Sequence, residues 1–237
     1  DLIMEGGAFQ SNGEGVIAYS LQAATQRNPS WSVAAIEREL KRVLGAKKLL
    51  AIPTFHLFDG HTVLDGPLEL DGEFYHLPVT VRHADEVMQF VDADTILVAQ
   101  LDQTAVSNDL EQAAKERLDE IWDFLAAATD ADGNPFELIA YPDPGFIPET
   151  MTEGDVVWDY LGTLSGLQNF DPAGGNIVMP ASYMNFVLTN DLVLVPTFYQ
   201  EGRHPRLAAA DAQAAAILAE QFAPRQVVQV VTDNLVV

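Results

Sequence analysis

The sequence predicts a mixed α/β protein built from a repeated unit of strand, strand, helix and strand. Two segments, 88–98 and 184–194, match at an offset of 96 residues, and each is typical of a β-hairpin. A weaker third copy lies at 8–18. Each hairpin is followed by a helical apolar pattern and then by another apolar strand. Repeats of about 80 to 100 residues favour modules arranged about an axis, and an ordinary α+β domain with similar hairpins is the alternative.

Each predicted helix carries apolar residues on one face and has a recognisable start or stop. The first helix starts at Ser32 and stops at Gly45. The second helix starts at Asn108 or Asp109 and ends before Asp130. The predicted helices are 32–44, about 109–129 and 207–222, and the strands that follow them are 48–52, 136–140 and 227–231.

The repeat predicts a single domain over residues 1–237. Residues 142–182 are rich in Pro and Gly, and we expect a long functional loop or lid there, or a decorated connection. Residues 58–75 are expected to form a surface excursion with two turns. The three modules are predicted at about 1–52, 80–140 and 181–237.

The composition is strongly acidic. The chain has 12 Lys and Arg against 35 Asp and Glu, which gives a formal net charge of −23. Nucleic acids and anionic membranes are therefore poor partners, whereas a cationic guanidinium or polyamine is attracted. Apolar residues make up 48% of the chain and charged residues only 20%, so wholesale disorder is excluded.

The sequence also sets expectations about location and assembly. No apolar run reaches the ~18 residues that span a bilayer, and no signal peptide opens the chain. We expect a cytoplasmic protein, with secretion left open because the chain starts at Asp1 and ends at Val237 as a piece of a longer protein would. Association into a homo-oligomer is left open.

Candidate functional residues lie at the starts of two predicted hairpins. The chain has no cysteine, so disulfides and thiolate chemistry are excluded for these 237 residues alone. Glu5 precedes the first hairpin, and His83 and Asp85 precede the second. If the modules are related by rotation, these strand starts meet, and side chains that alternate along a strand place His83 and Asp85 on one side. Two carboxylates can hold a guanidinium while the histidine transfers a proton.

Two other interpretations of these residues remain. His83 and Asp85 alone are compatible with a strand-edge pair that satisfies its own hydrogen bonds. Together with Glu5 they offer three ligands for zinc, although no His-x-x-x-His or cysteine spacing supports that site. We therefore expect neither a metal nor a cofactor. His56, His76 and His204 are expected to be structural or surface residues.

An ordered set of motifs resembles the agmatine deiminase and bacterial-type peptidylarginine deiminase group of the guanidine-modifying, or pentein, superfamily. The motifs extend over nearly the whole chain, and their order makes the resemblance specific. The matching segments are Glu5-Gly6-Gly7, Arg27-Asn28-Pro29, 36–40 with 44–45, His83-Ala84-Asp85-Glu86 with 90–91, 130–133, 183–186 with Asn190, and 195–198.

The resemblance implies a pentein-type α/β propeller of five modules, of which this chain would hold three and be incomplete at both ends. It also implies hydrolysis of a guanidinium to a ureido group with release of ammonia, through a cysteine thiolate. Carried onto this chain, His83 would be the general acid and base, Asp85 would grip the guanidinium, and Glu5 would orient the site and contact the substrate. The implied partner is a small cationic guanidino substrate.

The chain also departs from the family pattern. Ala8 replaces the usual Asn after Glu-Gly-Gly, Arg82 replaces the usual Gly before the histidine, and Glu86 stands where agmatine-specific members often carry Asn. The family cysteine is expected just past Val237, and a further family aspartate before Asp1. The resemblance leaves open whether the substrate is agmatine, free arginine or peptidyl arginine. A catalytically inactive module that binds a cationic ligand or a protein partner is the alternative function.

Overall fold

The computed structural model describes residues 1–78 and 82–232, in which short strands form four small sheets between α-helices. This mixed α/β architecture confirms the predicted class. The strands are β1 (Phe9–Ser11), β2 (Val16–Ser20), β3 (Lys48–Ile52), β4 (Leu68–Leu70), β5 (Glu73–His76), β6 (Met88–Phe90), β7 (Thr95–Gln100), β8 (Glu137–Pro142), β9 (Pro148–Thr152), β10 (Gly174–Val178), β11 (Val187–Leu188), β12 (Leu192–Thr197) and β13 (Gln226–Val231). The helices are α1 (Leu21–Arg27), α2 (Val33–Leu44), α3 (Thr62–Asp65), α4 (Asp109–Ala126), α5 (Val156–Gly162) and α6 (Arg206–Gln221).

Three of the sheets repeat one pattern. Their strand orders are β1-β2-β3, β6-β7-β8 and β11-β12-β13. In each sheet the first two strands pair antiparallel as a hairpin, and a helix precedes the third strand. β3 runs parallel to β2, and β13 runs parallel to β12. The predicted unit of strand, strand, helix and strand is therefore confirmed in all three places.

The ends of α2 show how local sequence sets the module. Ser32 caps the helix by accepting a hydrogen bond from the Ala35 amide over 3.3 Å. Gly45 ends it with a φ of 68°, a left-handed conformation that glycine adopts without steric cost. Ile36 and Leu40 lie on the buried face and pack in a core that includes Tyr19 of β2. The predicted bounds of this helix are confirmed.

Residues 142–182 are not a long loop. They form β9, α5 and β10, and the fourth sheet has the order β4-β5-β10-β9. Trp158 is 1% exposed and stacks on Phe170 with ring centroids 4.5 Å apart. The prediction of a loop or lid was wrong because β10 pairs in parallel with β5, which lies about a hundred residues earlier and leaves no local signal.

Residues 58–75 were expected to form a surface excursion, and this prediction was wrong for the start of the segment. Phe58 is only 3% exposed and belongs to a core cluster with Leu77, Phe146 and Val178. The rest of the segment contains α3, β4 and the first part of β5, and residues 63–75 are half-buried or exposed. One of the two predicted turns lies at the tip of the β4–β5 hairpin, at Asp71 and neighbouring Gly72.

Internal contacts divide the chain into two compact units. The first unit contains the β1-β2-β3 sheet and strands β6 and β7, and the second contains the β4-β5-β10-β9 and β11-β12-β13 sheets. The first two residues of the predicted module 80–140, and the last five of 181–237, lie outside the described residues. The single domain over 1–237 stays a prediction. The first unit is Asp1–His56, Arg82–Gln100 and Glu116–Tyr141, and the second is Leu57–Val81, Leu101–Lys115 and Pro142–Val237.

No described helix is both long enough and apolar enough to cross a bilayer.

A buried ion pair stabilises the second unit. The Glu111 carboxylate is fully buried in α4 and pairs with the Arg206 guanidinium of α6. It also accepts hydrogen bonds from the Ser107 amide over 2.8 Å and the Ser107 hydroxyl over 2.7 Å. Burial on its own raises the pKa of Glu111, but the hydrogen bonds from Arg206 and Ser107 outweigh it and hold the pKa below its ordinary value.

We expect Arg206→Met to lower the free energy of unfolding by about 3–5 kcal/mol, because it leaves the Glu111 carboxylate buried without a cation. Urea unfolding followed by circular dichroism measures this loss. The matched control is Arg42→Met, which breaks the exposed Arg42–Glu39 pair on α2 and should change stability little. Equal effects of the two substitutions would contradict a structural role for the buried pair.

Candidate functional site

The structure brings Glu5, His83 and Asp85 together in the first unit. His83 Nε2 lies 3.0 Å from Glu5 Oε2, although the two residues are 78 positions apart in sequence. His83 Nδ1 lies 3.6 Å from Asp85 Oδ1. One imidazole ring therefore lies between two carboxylates, as the sequence predicted for these three residues.

Two equivalent short turns position the three residues. Glu5 directly precedes the 3₁₀ turn Gly6–Ala8, which leads into β1. His83 directly precedes the 3₁₀ turn Ala84–Glu86, two residues before β6. The expected reason for their proximity needs correction, because Asp85 lies within a turn and not on a strand. The repeat, and not alternation along a strand, places these groups together.

A side chain in the first hairpin turn joins the two modules. Asn12 Nδ2 donates a hydrogen bond over 2.9 Å to the Ala93 carbonyl in the turn of the second hairpin. Its Oδ1 accepts from the Val16 and Glu14 amides over 2.9 and 3.0 Å. These bonds set the β1–β2 hairpin against the β6–β7 hairpin, and so the turns that carry Glu5 and His83.

The segment before Glu5 is held by the end of α1. Buried Asn28 accepts a hydrogen bond from the Ile3 amide over 2.9 Å and donates one to the Ile3 carbonyl over 2.8 Å. The neighbouring Arg27 guanidinium forms an ion pair with Glu5 Oε1. Sequence reasoning used Arg27 and Asn28 only as a family motif and missed this contact. Arg27 and Glu5 are too far apart in the chain for any local spacing to indicate their ion pair.

Gly7 lies against the His83–Asp85 pair. A Cβ atom at this position would lie 2.6 Å from Asp85 Oδ2 and 2.6 Å from His83 Nδ1. At the adjacent Gly6, a Cβ would meet nothing within 4 Å. Of the two glycines in the Glu-Gly-Gly motif, the second is the one whose missing side chain makes room for the site.

The three side chains are partly buried, with exposures of 28% for Glu5, 26% for His83 and 19% for Asp85. Burial raises the pKa of Asp85, and the positive charge of a protonated His83 opposes that rise. A neutral His83 that donates from Nε2 to Glu5 would turn the lone pair of Nδ1 toward Asp85. A proton on His83 Nδ1 or on Asp85 would remove the repulsion between that lone pair and the carboxylate.

The carboxylates of Glu5 and Asp85 differ in whether their oxygens already have hydrogen-bond donors. Glu5 Oε1 pairs with Arg27 and Oε2 with His83, so both of its oxygens have protein partners. Asp85 Oδ1 is buried and accepts no hydrogen bond from the described residues. A buried acceptor of this kind is costly unless a donor reaches it, and the N–H groups of a cation are suitable donors. Asp85 is therefore the carboxylate with capacity for a ligand.

The residue before His83 has an unusual backbone. Arg82 has a φ of 62°, in the left-handed region that costs a residue with a side chain about 1–2 kcal/mol. Glycine adopts this conformation freely, which gives a physical reason for the glycine of the family pattern at this position. The sequence marked Arg82 as a departure, and only the backbone shows what the departure costs.

The remaining candidates are structural. His76 is buried, bonds to the Thr62 hydroxyl over 2.9 Å and packs edge-on against Trp158. Burial lowers the pKa of His76. Trp158 belongs to the core and cannot stack on a ligand in this conformation. Within residues 1–78 and 82–232, no group of three or more His, Asp or Glu residues is arranged to hold a metal ion.

Comparisons with known proteins identify relatives of this chain. The agmatine deiminase of Pseudomonas aeruginosa is 29% identical over 232 residues, which cover 97% of this chain and 52% of that protein. The agmatine deiminase of Medicago truncatula is 28% identical over 202 residues, covering 83% of this chain and 45% of that protein. The chain thus spans about half the length of these curated relatives.

The fold of the chain is also similar to that of solved structures. The solved structure of agmatine deiminase from Enterococcus faecalis matches 99% of this chain and 54% of that chain, with a TM-score of 0.69 and 23% identity. That likeness shows the mixed α/β fold with its small sheets. The sequence model that describes the Porphyromonas-type peptidyl-arginine deiminases matches residues 1–237, so the chain belongs to the Porphyromonas-type peptidyl-arginine deiminase family.

Proposed function

We propose that this chain is part of a guanidino hydrolase, which converts a guanidinium group into a ureido group. The observation that carries the proposal is the buried Oδ1 of Asp85, which lies beside His83 and accepts no hydrogen bond from the described residues. The substrate class is agmatine or arginine, free or peptidyl. Relatives named agmatine deiminase support agmatine as the first compound to test.

The proposed reaction adds one water to the guanidinium and releases one ammonium ion. One carbon–nitrogen bond breaks, and the water oxygen becomes the ureido oxygen. Asp85 would accept charge-assisted hydrogen bonds from the guanidinium N–H groups, which fixes the plane of the substrate. The net charge of −23 draws the cation toward the protein.

His83 would move the protons. A cation bound at Asp85 favours the ionised carboxylate. A neutral ring held through Nε2 by Glu5 presents Nδ1 as a base. That nitrogen can take the proton of the attacking thiol and give it to the leaving ammonia, and later take a proton from the water that resolves the covalent intermediate. In this scheme Glu5 orients His83, and its contacts leave it less suited to gripping the substrate.

The nucleophile must come from outside these residues. The resemblance implies a cysteine thiolate, and the 237 residues contain no cysteine. We propose that the chain supplies the binding and proton-transfer groups and that the thiolate is supplied elsewhere in the protein. A catalytically inactive module that binds a cationic ligand is the second candidate, because the open oxygen of Asp85 can bind a cation without a nucleophile.

The arrangement of modules is part of the same proposal. Three sheets with one strand pattern support a propeller of the pentein type, in which the modules surround a common axis. In such a fold, equivalent turns of successive modules face one pocket. The proximity of the turns after Glu5 and His83 supports this arrangement for the first two modules.

We expect the chain to bind agmatine and Asp85→Asn to weaken binding about tenfold or more, because a hydrogen bond to a charged group is lost. Isothermal titration calorimetry measures the affinity. The matched control is Asp94→Asn, which removes the same charge from an exposed turn and should leave the affinity unchanged. Asp85→Asn binding agmatine as tightly as the wild type would overturn the proposal.

An ammonia assay separates the two candidate functions. Ammonia release from agmatine by the protein that contains this chain, blocked by iodoacetamide, supports the hydrolase. Binding of agmatine without ammonia release, by a protein that contains this chain, supports the binding module.

Agmatine affinity should fall as the pH drops through the raised pKa of Asp85, because only the ionised carboxylate pairs with the cation. Calorimetry between about pH 4 and pH 8 should show loss beginning above the ordinary aspartate pKa of about 3.9. The Asp85→Asn variant should lack the part of this loss that belongs to Asp85. Affinity constant down to about pH 4 would contradict the assignment.

We expect Gly7→Ala to abolish agmatine binding, since the new methyl group would displace Asp85 or His83. Gly6→Ala is the matched control, one residue away in the same turn, and has open space for its methyl group. It should bind agmatine like the wild type. Circular dichroism confirms that both variants are folded. Equal affinities of the two folded variants would show that Gly7 does not shape the site.

A further inference from the structure

We infer that Arg82 is a positioning residue for His83, acting through its stacking contact with Phe55. The inference rests on the proposed function, in which His83 moves the protons. The Arg82 guanidinium carbon lies 4.6 Å from the centroid of the Phe55 ring. A cation within about 6 Å of an aromatic ring centroid is attracted by the ring quadrupole. The contact therefore fixes the side chain directly before the histidine.

The left-handed backbone of Arg82 explains why a stabilising contact is needed at this residue. At a φ of 62°, a residue with a side chain is less stable than glycine. An arginine at this position therefore needs a contact that holds it there, and the stacking on Phe55 provides one. A different φ at Arg82 would swing the following residue, because consecutive Cα atoms are joined by a rigid planar peptide.

Phe55 is a fixed platform. It lies three residues after β3, is 7% exposed, and also has the Arg117 guanidinium of α4 at 4.7 Å from its ring centroid. Three separate segments of the first unit thus meet at one ring. A planar guanidinium stacks on such a ring better than the compact ammonium of lysine does. Because the Phe55 ring is buried next to β3 and contacts Arg117 of α4, its contact with Arg82 limits the movement of the residue before His83.

The imidazole depends on that rigidity. His83 Nε2 is 3.0 Å from Glu5 and Nδ1 is 3.6 Å from Asp85, so the second distance is already beyond a hydrogen bond. A small rotation of the backbone at Arg82 changes both distances together. Arg82 itself need not touch the substrate. Its effect reaches the proposed site only through the placement of His83.

The test uses the full 237-residue chain and four variants. Arg82→Gly and Phe55→Leu each remove the stacking, Arg82→Lys keeps the charge without the planar group, and a double variant combines the first two changes. Asp71→Gly is the matched control, because it also places glycine at a positive φ, of 54°, in the second unit. Circular dichroism confirms folding, calorimetry measures agmatine affinity, and NMR titration measures the pKa of the His83 imidazole.

We expect Arg82→Gly and Phe55→Leu each to weaken agmatine binding about fivefold to tenfold and to shift the His83 titration in the same direction. The double variant should lose less than the sum of the two single losses, because both changes break the same Arg82–Phe55 contact. Arg82→Lys should recover part of the loss, and Asp71→Gly should bind like the wild type. Unchanged affinity and unchanged His83 titration in Arg82→Gly would overturn the inference, as would additive losses in the double variant.

Failure of the proposed function would look different. In that case the wild type would not bind agmatine, whereas the His83 titration would still report on Arg82 without any ligand. A shift of that titration in Arg82→Gly and Phe55→Leu, with none in Asp71→Gly, would keep the positioning role. Because Arg82→Lys changes the side chain least, it provides a folded variant if Arg82→Gly does not fold.

Discussion

The hydrogen bond between His83 and Glu5 joins two modules that are far apart in sequence, and the proposed site depends on it. It fixes the imidazole ring at Nε2 and leaves Nδ1 toward Asp85. The residues around the site position either this hydrogen bond or the contact between His83 and Asp85. Arg27 and Asn28 hold the Glu5 side, and the Arg82 backbone and Gly7 shape the His83 side. A shift on either side changes the distances from the imidazole to the two carboxylates.

The site also shows how a repeated module can create chemistry. Each of the first two modules begins with a 3₁₀ turn before its first strand, and these turns carry Glu5 and Asp85. Asn12 ties the hairpins together at their tips. Two copies of one local structure, neither of which is a site alone, thus bring unlike polar groups to one place. The second copy differs from the first because it carries His83 and because its Asp85 has an oxygen that accepts no hydrogen bond from the described residues.

The carboxylates of Glu111 and Asp85 have different roles in stability and in the proposed function. In the second unit, Glu111 is fully buried and completely satisfied, so its pKa is held low. In the first unit, Asp85 is less buried yet incompletely satisfied, so burial raises its pKa. A carboxylate whose oxygens are all occupied stabilises a fold, whereas one with an open oxygen can bind a cation.

The repeated modules, the bounds of α2 and the grouping of Glu5, His83 and Asp85 could be predicted from the order of residues. Helical spacing, caps and hairpin patterns are local and can be recognised in the sequence. The pairing of β10 with β5, the ion pair of Arg27 with Glu5 and the stacking of Arg82 on Phe55 are known only from the folded structure. These contacts join residues far apart in the chain, and their geometry depends on packing that no local pattern encodes.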